Sequence, residues 1–200
     1  VDFFKCEGCG ACILVCPHSA ISLKEKKTAD VYITQTNKGI ISRAQMEVGS
    51  EGSGKLITML RSNARKFADG NALIIIDGSP GIGCPVISSI TGSDAVLIVT
   101  EPTQSGLEDF VRVMELCRHF GVITFACINK YDINEKKAEE IESFCRENDI
   151  YLIGKIPFDD TVMKSIKELK PIVFYEGSKA NQAIRQMWDN ICKYIKYLNQ

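Results

Sequence analysis

Two hundred residues with 45% hydrophobic content suit one α/β domain with a small appendage, and they provide for a sizeable core. A formal net charge of −1 gives no electrostatic case for binding nucleic acid or an anionic membrane surface, and no apolar run approaches the length that spans a bilayer. Nine cysteines argue for metal chemistry in a reducing compartment rather than for disulfides, so a cytoplasmic location is expected.

In chain order, Cys6, Cys9, Cys12 and Cys16, followed by Pro17, read C-x₂-C-x₂-C-x₃-C-P. Tight turns at this spacing let thiolates converge on one cubic iron–sulfur cluster. Gly8 and Gly10 keep the backbone slim where it would pass the inorganic sulfides. A zinc knuckle is the competing reading, although zinc sites pair two short cysteine or histidine halves. The motif resembles the bacterial ferredoxin module, and residues 20–23 look like the short strand that closes such a module. In the two-cluster version the fourth cysteine of each motif ligates the other motif's cluster. The resemblance therefore implies that Cys6, Cys9 and Cys12 hold one 4Fe-4S cluster, while Cys16 serves a neighbouring one or folds back. His18 reads as a surface residue. The chain opens at Val1, directly before this motif, and the expectation is a fragment whose upstream part carries a further cysteine motif.

Glu25-Lys26-Lys27 is a solvated cluster at a domain edge. Residues 31–36 alternate as a half-exposed strand, Asn37-Lys38-Gly39 supplies turn chemistry, and residues 40–48 form a second strand. The expected domains are a ferredoxin-like half-module at 1–36 and a nucleotide-binding domain at 37–200. Residues 49–56, Gly-Ser-Glu-Gly-Ser-Gly-Lys-Leu, fit G-x₄-G-K ahead of a helix that puts Leu56, Leu60, Ala64 and Phe67 on one face. A phosphate loop needs a Ser or Thr hydroxyl straight after the lysine, and Leu56 stands there. The plainer reading is a glycine-rich lead into a helix with Lys55 exposed.

Residues 72–76, Ala-Leu-Ile-Ile-Ile, read as a strand buried on both faces, ending in Asp77 and a loop with Gly78, Gly81 and Gly83. Ligands of parallel sheets bind beyond the carboxyl ends of strands, where an aspartate can hold hydrated Mg²⁺. Three more strands are expected at 95–99, 122–128 and 151–156, with helices at 105–120, 134–147 and 178–198. The last helix is expected to bury Ile184, Met187, Trp188, Ile191, Ile195 and Leu198. Four strand–helix units in succession define a doubly wound, mostly parallel α/β sheet. Polar residues stand at every strand end, among them Asn129-Lys130-x-Asp132, a pattern whose amide can read a purine edge while the lysine stem packs over the ring.

Taken together the chain resembles the MinD/ParA-type class of P-loop ATPases, in the branch with an inserted ferredoxin module. The resemblance rests on the cysteine motif, on residues 76–83 (Ile-Asp-Gly-Ser-Pro-Gly-Ile-Gly), on Thr100-Glu101-Pro102-Thr103-x-Ser105-Gly106-Leu107, on Ile128-Asn129-Lys130-x-Asp132 and on residues 154–159 (Gly-Lys-Ile-Pro-Phe-Asp). It implies ATP and Mg²⁺ as ligands. Asp77 would organise the metal, Gly81 would sense the terminal phosphate, and Asn129, Pro157 and Phe158 would bracket adenine. The family's own phosphate loop, K-G-G-x-G-K-[ST], has no match in these residues, so the chain as given is expected not to hydrolyse ATP at a useful rate.

Cys84 follows Asp77 by seven residues, in the loop that would respond to nucleotide. It reads either as a small residue tucked between Gly83 and Pro85 or as a ligand or contact of a cluster. Cys117, Cys127, Cys145 and Cys192 read as packing residues. The leading function is an iron–sulfur ATP-binding protein, homodimeric when complete, that gates electron transfer to a partner redox enzyme. The alternative is a carrier or scaffold that hands its cluster to an apo-acceptor protein.

Overall fold

The computed structural model describes residue 6 and residues 8–50, 52–70 and 72–198. Glu51 of the glycine-rich stretch and the side chain of Leu198 lie outside the described residues. Contacts divide the chain into two compact units, Val1–Gly52 with Leu60–Ile74, and Ser53–Met59 with Ile75–Gln200.

In the first unit, Gly8 and Gly10 take left-handed backbone at φ +64° and +78°, and Gly10 leads into a single helical turn, α1 (Ala11–Leu14). Strands β1 (Ala29–Thr36) and β2 (Gly39–Met46) pair antiparallel, Thr36 opposite Gly39, around the two-residue turn Asn37-Lys38. Thr36 closes that turn: its Oγ1 donates to Gly39 O at 2.8 Å and accepts from the amides of Lys38 and Gly39, each at 3.1 Å. Along β2, Ile40, Ser42, Ala44 and Met46 form the more buried face, as period-two alternation requires. The hairpin crosses the boundary expected between residues 36 and 37.

The strand expected at 20–23 does not form. A strand needs a ladder partner, and among the described residues none pairs with 20–23, while the Ser19 amide donates to the Cys16 carbonyl at 3.3 Å.

The second unit holds the sheet. In order come the start of α2 (Gly54–Arg65), then α3 (Cys84–Ile90), β3 (Ala95–Thr100), α4 (Gln104–His119), β4 (Ile123–Asn129), α5 (Glu135–Glu147), β5 (Tyr151–Ile156), α6 (Asp160–Lys167) and α7 (Lys179–Leu198). Strands β3, β4 and β5 are all parallel in that spatial order, with Thr100 beside Ile128 and Asn129 beside Ile156. Central β4 buries four residues in a row, Phe125 to Ile128, each at 2% exposure or less. That continuous burial belongs to a strand covered on both faces. Helices α3, α4 and α5 add Val86, Ile90, Phe110, Met114, Cys117, Ala138, Ile141 and Cys145 to the same core.

Two further expectations need correction. Residues 72–76 form no strand, and Leu73, Ile74 and Ile75 are 59%, 39% and 74% exposed. Their composition suits a strand, but β-structure exists only with a hydrogen-bonded neighbour, and among the described residues none runs alongside. Among the described residues the sheet accordingly has three strands, not four. Trp188 is 41% exposed. Met187 is the residue that packs on β5, over Gly154, and its neighbour lies about 100° further round the helix. Helices α3 and α6 were not anticipated from sequence. Among the described residues no helix is long and apolar enough to cross a membrane.

Candidate functional site

The tips of β3, β4 and β5 lie side by side because the strands are parallel and in register, and their loops are tied together. Glu101, just beyond β3, takes an ion pair from Lys130 Nζ at 2.7 Å on its Oε1. Asn129 Nδ2 faces the same oxygen at 3.5 Å. Lys130 is held in left-handed backbone at φ +52°, uncommon for a residue with a side chain. Both partners of the ion pair are about two-fifths exposed, at 40% and 45%, so it contributes about 0–1 kcal/mol and serves chiefly to orient. From the loop after β4, Asp132 Oδ1 accepts the amide of Phe158 at 2.8 Å, fixing the loop after β5. Phe158 is 48% exposed beside the half-buried Pro157. The structure thus brings Asn129, Lys130, Asp132, Pro157 and Phe158 together. It adds Glu101, whose partners sequence reading did not identify.

Next to this set, Asp159 anchors two helices. It caps α6 by accepting Thr161 N at 2.8 Å on Oδ1, while Oδ2 accepts Ser178 Oγ at 2.6 Å and Ala180 N at 3.2 Å at the start of α7. These hydrogen bonds, that of Ser178 foremost, hold its carboxyl well below the usual carboxylate range. Asn181 extends the network by donating to Tyr175 O at 2.9 Å, and Arg185 donates to Asn181 Oδ1 at 2.9 Å. The backbone that carries Pro157 and Phe158 is therefore braced from both sides.

Asp77 and Gly81 lie on the exposed loop ahead of α3, with Gly81 at φ +87°. That loop is tethered to the core through Val86 and Ile90 of α3. No described contact joins Asp77 or Gly81 to Asn129 or Phe158. Cys84 is exposed at the first residue of α3. Gly54 sits hard against the same turn: a Cβ there would come 2.6 Å from Ser88 Oγ and 3.2 Å from Cys84 O. The close approach of α2 to α3 accounts for this glycine without a phosphate. Ser53 Oγ accepts Leu56 N at 3.2 Å as a helix cap, Thr58 Oγ1 donates to Gly54 O at 2.9 Å, and Lys55 is exposed. The geometry here is that of a capped helix entry.

Cys6, Cys9 and Cys12 are exposed and Cys16 is half-buried. Among the described residues no three His, Cys, Asp or Glu side chains stand close enough together to hold a metal ion. The donor set nevertheless suits a cluster. Left-handed Gly8 and Gly10 give the turns that the motif needs. The Cys16 thiol is shifted down by backbone N–H groups directed at its sulfur, that of Ala20 foremost, and such donors also stabilise cluster-bound thiolate. Cys117, Cys127 and Cys145 are fully buried, as a packing role requires, and Cys192 is half-buried.

The fold is that of MinD-like α/β proteins, and the N-terminal residues carry the cysteine motif of an iron–sulfur segment. Residues 1–22 match the family model of the 4Fe-4S binding domain. Protein MJ0578 of Methanocaldococcus jannaschii is 32% identical over 151 residues, covering 76% of this chain and 50% of its own length. The ATP-binding protein MJ0547 of the same organism is 26% identical over 116 residues, covering 58% of this chain and 44% of its own. The chain thus spans about half the length of the curated relatives it matches. Among solved structures, the septum site-determining protein MinD of Pyrococcus horikoshii OT3, complexed with Mg-ADP, superposes with a TM-score of 0.65 at 20% identity, over 82% of this chain and 68% of that one.

Proposed function

We propose that this chain is part of an iron–sulfur protein that binds adenine nucleotide and uses its nucleotide state to gate electron transfer from the cluster to a partner redox enzyme. The observation that carries the nucleotide half is the pair of ties across the strand tips, Lys130 to Glu101 at 2.7 Å and Asp132 to the Phe158 amide at 2.8 Å. They gather an amide side chain and an exposed aromatic ring at the carboxyl end of a parallel sheet, where such folds take their ligands. Asn129 supplies the base-reading amide, Pro157 and Phe158 the apolar wall, Asp77 the Mg²⁺ partner and Gly81 the contact to the terminal phosphate. The Mg-ADP of the Pyrococcus horikoshii protein and the ATP-binding name of MJ0547 support this reading.

Cys6, Cys9, Cys12 and Cys16 would hold the cluster, which supplies one-electron redox chemistry when bound. We place the lysine-bearing phosphate loop, absent from these 200 residues, in the complete protein, together with the dimer interface across which hydrolysis would act. This chain alone is expected to turn over ATP negligibly.

The test is a redox titration of the complete, anaerobically reconstituted protein with Mg-ATP, with Mg-ADP and without nucleotide. A potential that differs between the two nucleotides is expected. A potential blind to both would overturn the gating. The exposure of Cys6, Cys9 and Cys12 favours a second reading, cluster delivery. Rapid loss of iron to an apo-acceptor, with no nucleotide effect on potential, would establish it instead.

A further inference from the structure

Asn129 bears an amide whose two ends have opposite hydrogen-bonding character, and which end meets a purine decides which purine is accepted. The end that faces inward is set by a neighbour. The Nδ2 of Asn129 faces Glu101 Oε1 at 3.5 Å, and Lys130 Nζ sits on that same oxygen at 2.7 Å. A carboxylate paired with an ammonium in this way offers only acceptors to its other neighbours. A flipped amide would set carbonyl oxygen against carboxylate oxygen. The orientation is therefore dictated by chemistry and not by choice of atom names. Oδ1 is left as the outward group, and among the described residues it accepts no hydrogen bond.

The parallel register supports the arrangement. Thr100 pairs with Ile128, so Glu101 and Asn129 are the next residues along neighbouring strands. Gly106 lets the chain bend back there, since a Cβ on it would collide with the Glu101 carbonyl and come 2.9 Å from Thr103 Oγ1. Thr100 Oγ1 donates to Gly106 O at 2.8 Å, and Thr103 Oγ1 accepts the Gly106 amide at 2.9 Å. The backbone beneath Glu101 is fixed by this turn.

We propose that Glu101 is a specificity-determining positioning residue, which holds the Asn129 amide so that its carbonyl oxygen is offered to the base and selects a purine with an amino group at position 6. Adenine donates from that position. A 6-oxo purine presents an acceptor there, and acceptor would meet acceptor. On this view the lysine of Asn-Lys-x-Asp serves the carboxylate beyond the adjoining strand rather than the face of the base. The inference rests on the adenine-nucleotide reading above and adds the residue that enforces it.

Nucleosides test it, because they ask about the base without any phosphate contact. The 200-residue chain is titrated with adenosine, inosine and purine riboside, following amide shifts by NMR, for wild type, Glu101→Gln and Glu101→Ala. Wild type is expected to bind adenosine about tenfold more tightly than inosine or purine riboside, the worth of one matched buried hydrogen bond. A glutamine can offer either end of its own amide, so Glu101→Gln frees Asn129 to flip. The preference should fall to about twofold or less, mainly because inosine gains affinity. A merely structural defect would weaken all three ligands and raise none.

Glu101→Ala checks that loss of the orienting group, in a fold whose amide spectrum is otherwise unchanged, also erodes the preference. An undiminished adenosine preference in well-folded Glu101→Gln would overturn the assignment of Glu101 while leaving the adenine reading in place. Wild-type chain that binds none of the three nucleosides would overturn both.

Discussion

Asp159 shows how much a single side chain can organise. Its two oxygens accept from Thr161 N, Ser178 Oγ and Ala180 N, so one carboxylate closes the start of α6 and the start of α7. Replacement by Ala removes a cap from one helix and a partner from the other, and should cost about 1–2 kcal/mol in urea unfolding. The pH dependence has a definite sign. The folded carboxyl titrates below its ordinary value of 3.8, so its stabilisation is complete above that value and is lost as pH falls from there. As pH falls below about 4, wild type should lose stability more steeply than Asp159→Asn; parallel curves would show that the hydrogen bonds do not bias ionisation.

The cysteines divide at the same scale. Burial pushes the Cys127 and Cys145 thiols up to about 11, and Cys117 is fully covered as well. Since the thiolate is the nucleophile, iodoacetamide on the native, cluster-free chain should modify Cys6, Cys9, Cys12 and Cys84 and spare Cys117, Cys127 and Cys145. Peptide mapping that finds Cys127 labelled as fast as Cys84 would contradict the burial.

Among the elements, the contact between β5 and α7 is the most constrained. A Cβ on Gly154 would stand 2.9 Å from Met187 Cβ, a distance that side chains do not reach, and the obstacle is a helix rather than a loose side chain. Gly154→Ala should therefore cost about 1–3 kcal/mol through displacement of α7, read as a lowered thermal midpoint. Phe110, 1% exposed on α4, meets Phe144 of α5 edge to face at 5.8 Å, and Phe110→Ala should cost about 3–5 kcal/mol.

These same elements mark what sequence could and could not say. Strands β3 to β5 and helices α4, α5 and α7 were legible because their apolar periodicity is long and bounded by turn residues. Helices α3 and α6, of seven and eight residues, are too short to show a period. The run at 72–76 carried the signal of a buried strand, yet pairing is a property of neighbours and not of composition. The candidate site follows the same rule. Asn129, Lys130 and Asp132 were readable as a motif, whereas the link to Glu101 depends on the β3–β4 register and that of Asp132 on the fold of the loop after β5. Neither is written in local sequence.

For the whole molecule, the β3 edge of the sheet matters most. Within the second unit β3 has β4 on one side only, Val99 on it is 56% exposed, and Ile75 is 74% exposed. Apolar side chains and unsatisfied strand backbone at a sheet edge attract a further strand, which fits a chain that spans about half the length of its curated relatives. Among the described residues the amides of 75–79 donate no backbone hydrogen bond, whereas those of β4 are enclosed by β3 and β5 and by a core with Ala126, Cys127 and Ile128 at 0% exposure. Local opening costs next to nothing where no bond has to break, and it approaches the global unfolding free energy in a central strand. Hydrogen exchange followed by mass spectrometry should accordingly show peptides over 75–79 exchanging at nearly unprotected rates while peptides over 125–128 stay protected for hours. A strand supplied against residues 75–79, as the proposed longer protein would provide, should slow exchange there by orders of magnitude and leave β4 little changed. Protection at 75–79 in the 200-residue chain equal to that of β3 would mean that the run at 72–76 already has a partner, and the account of the open edge would fall.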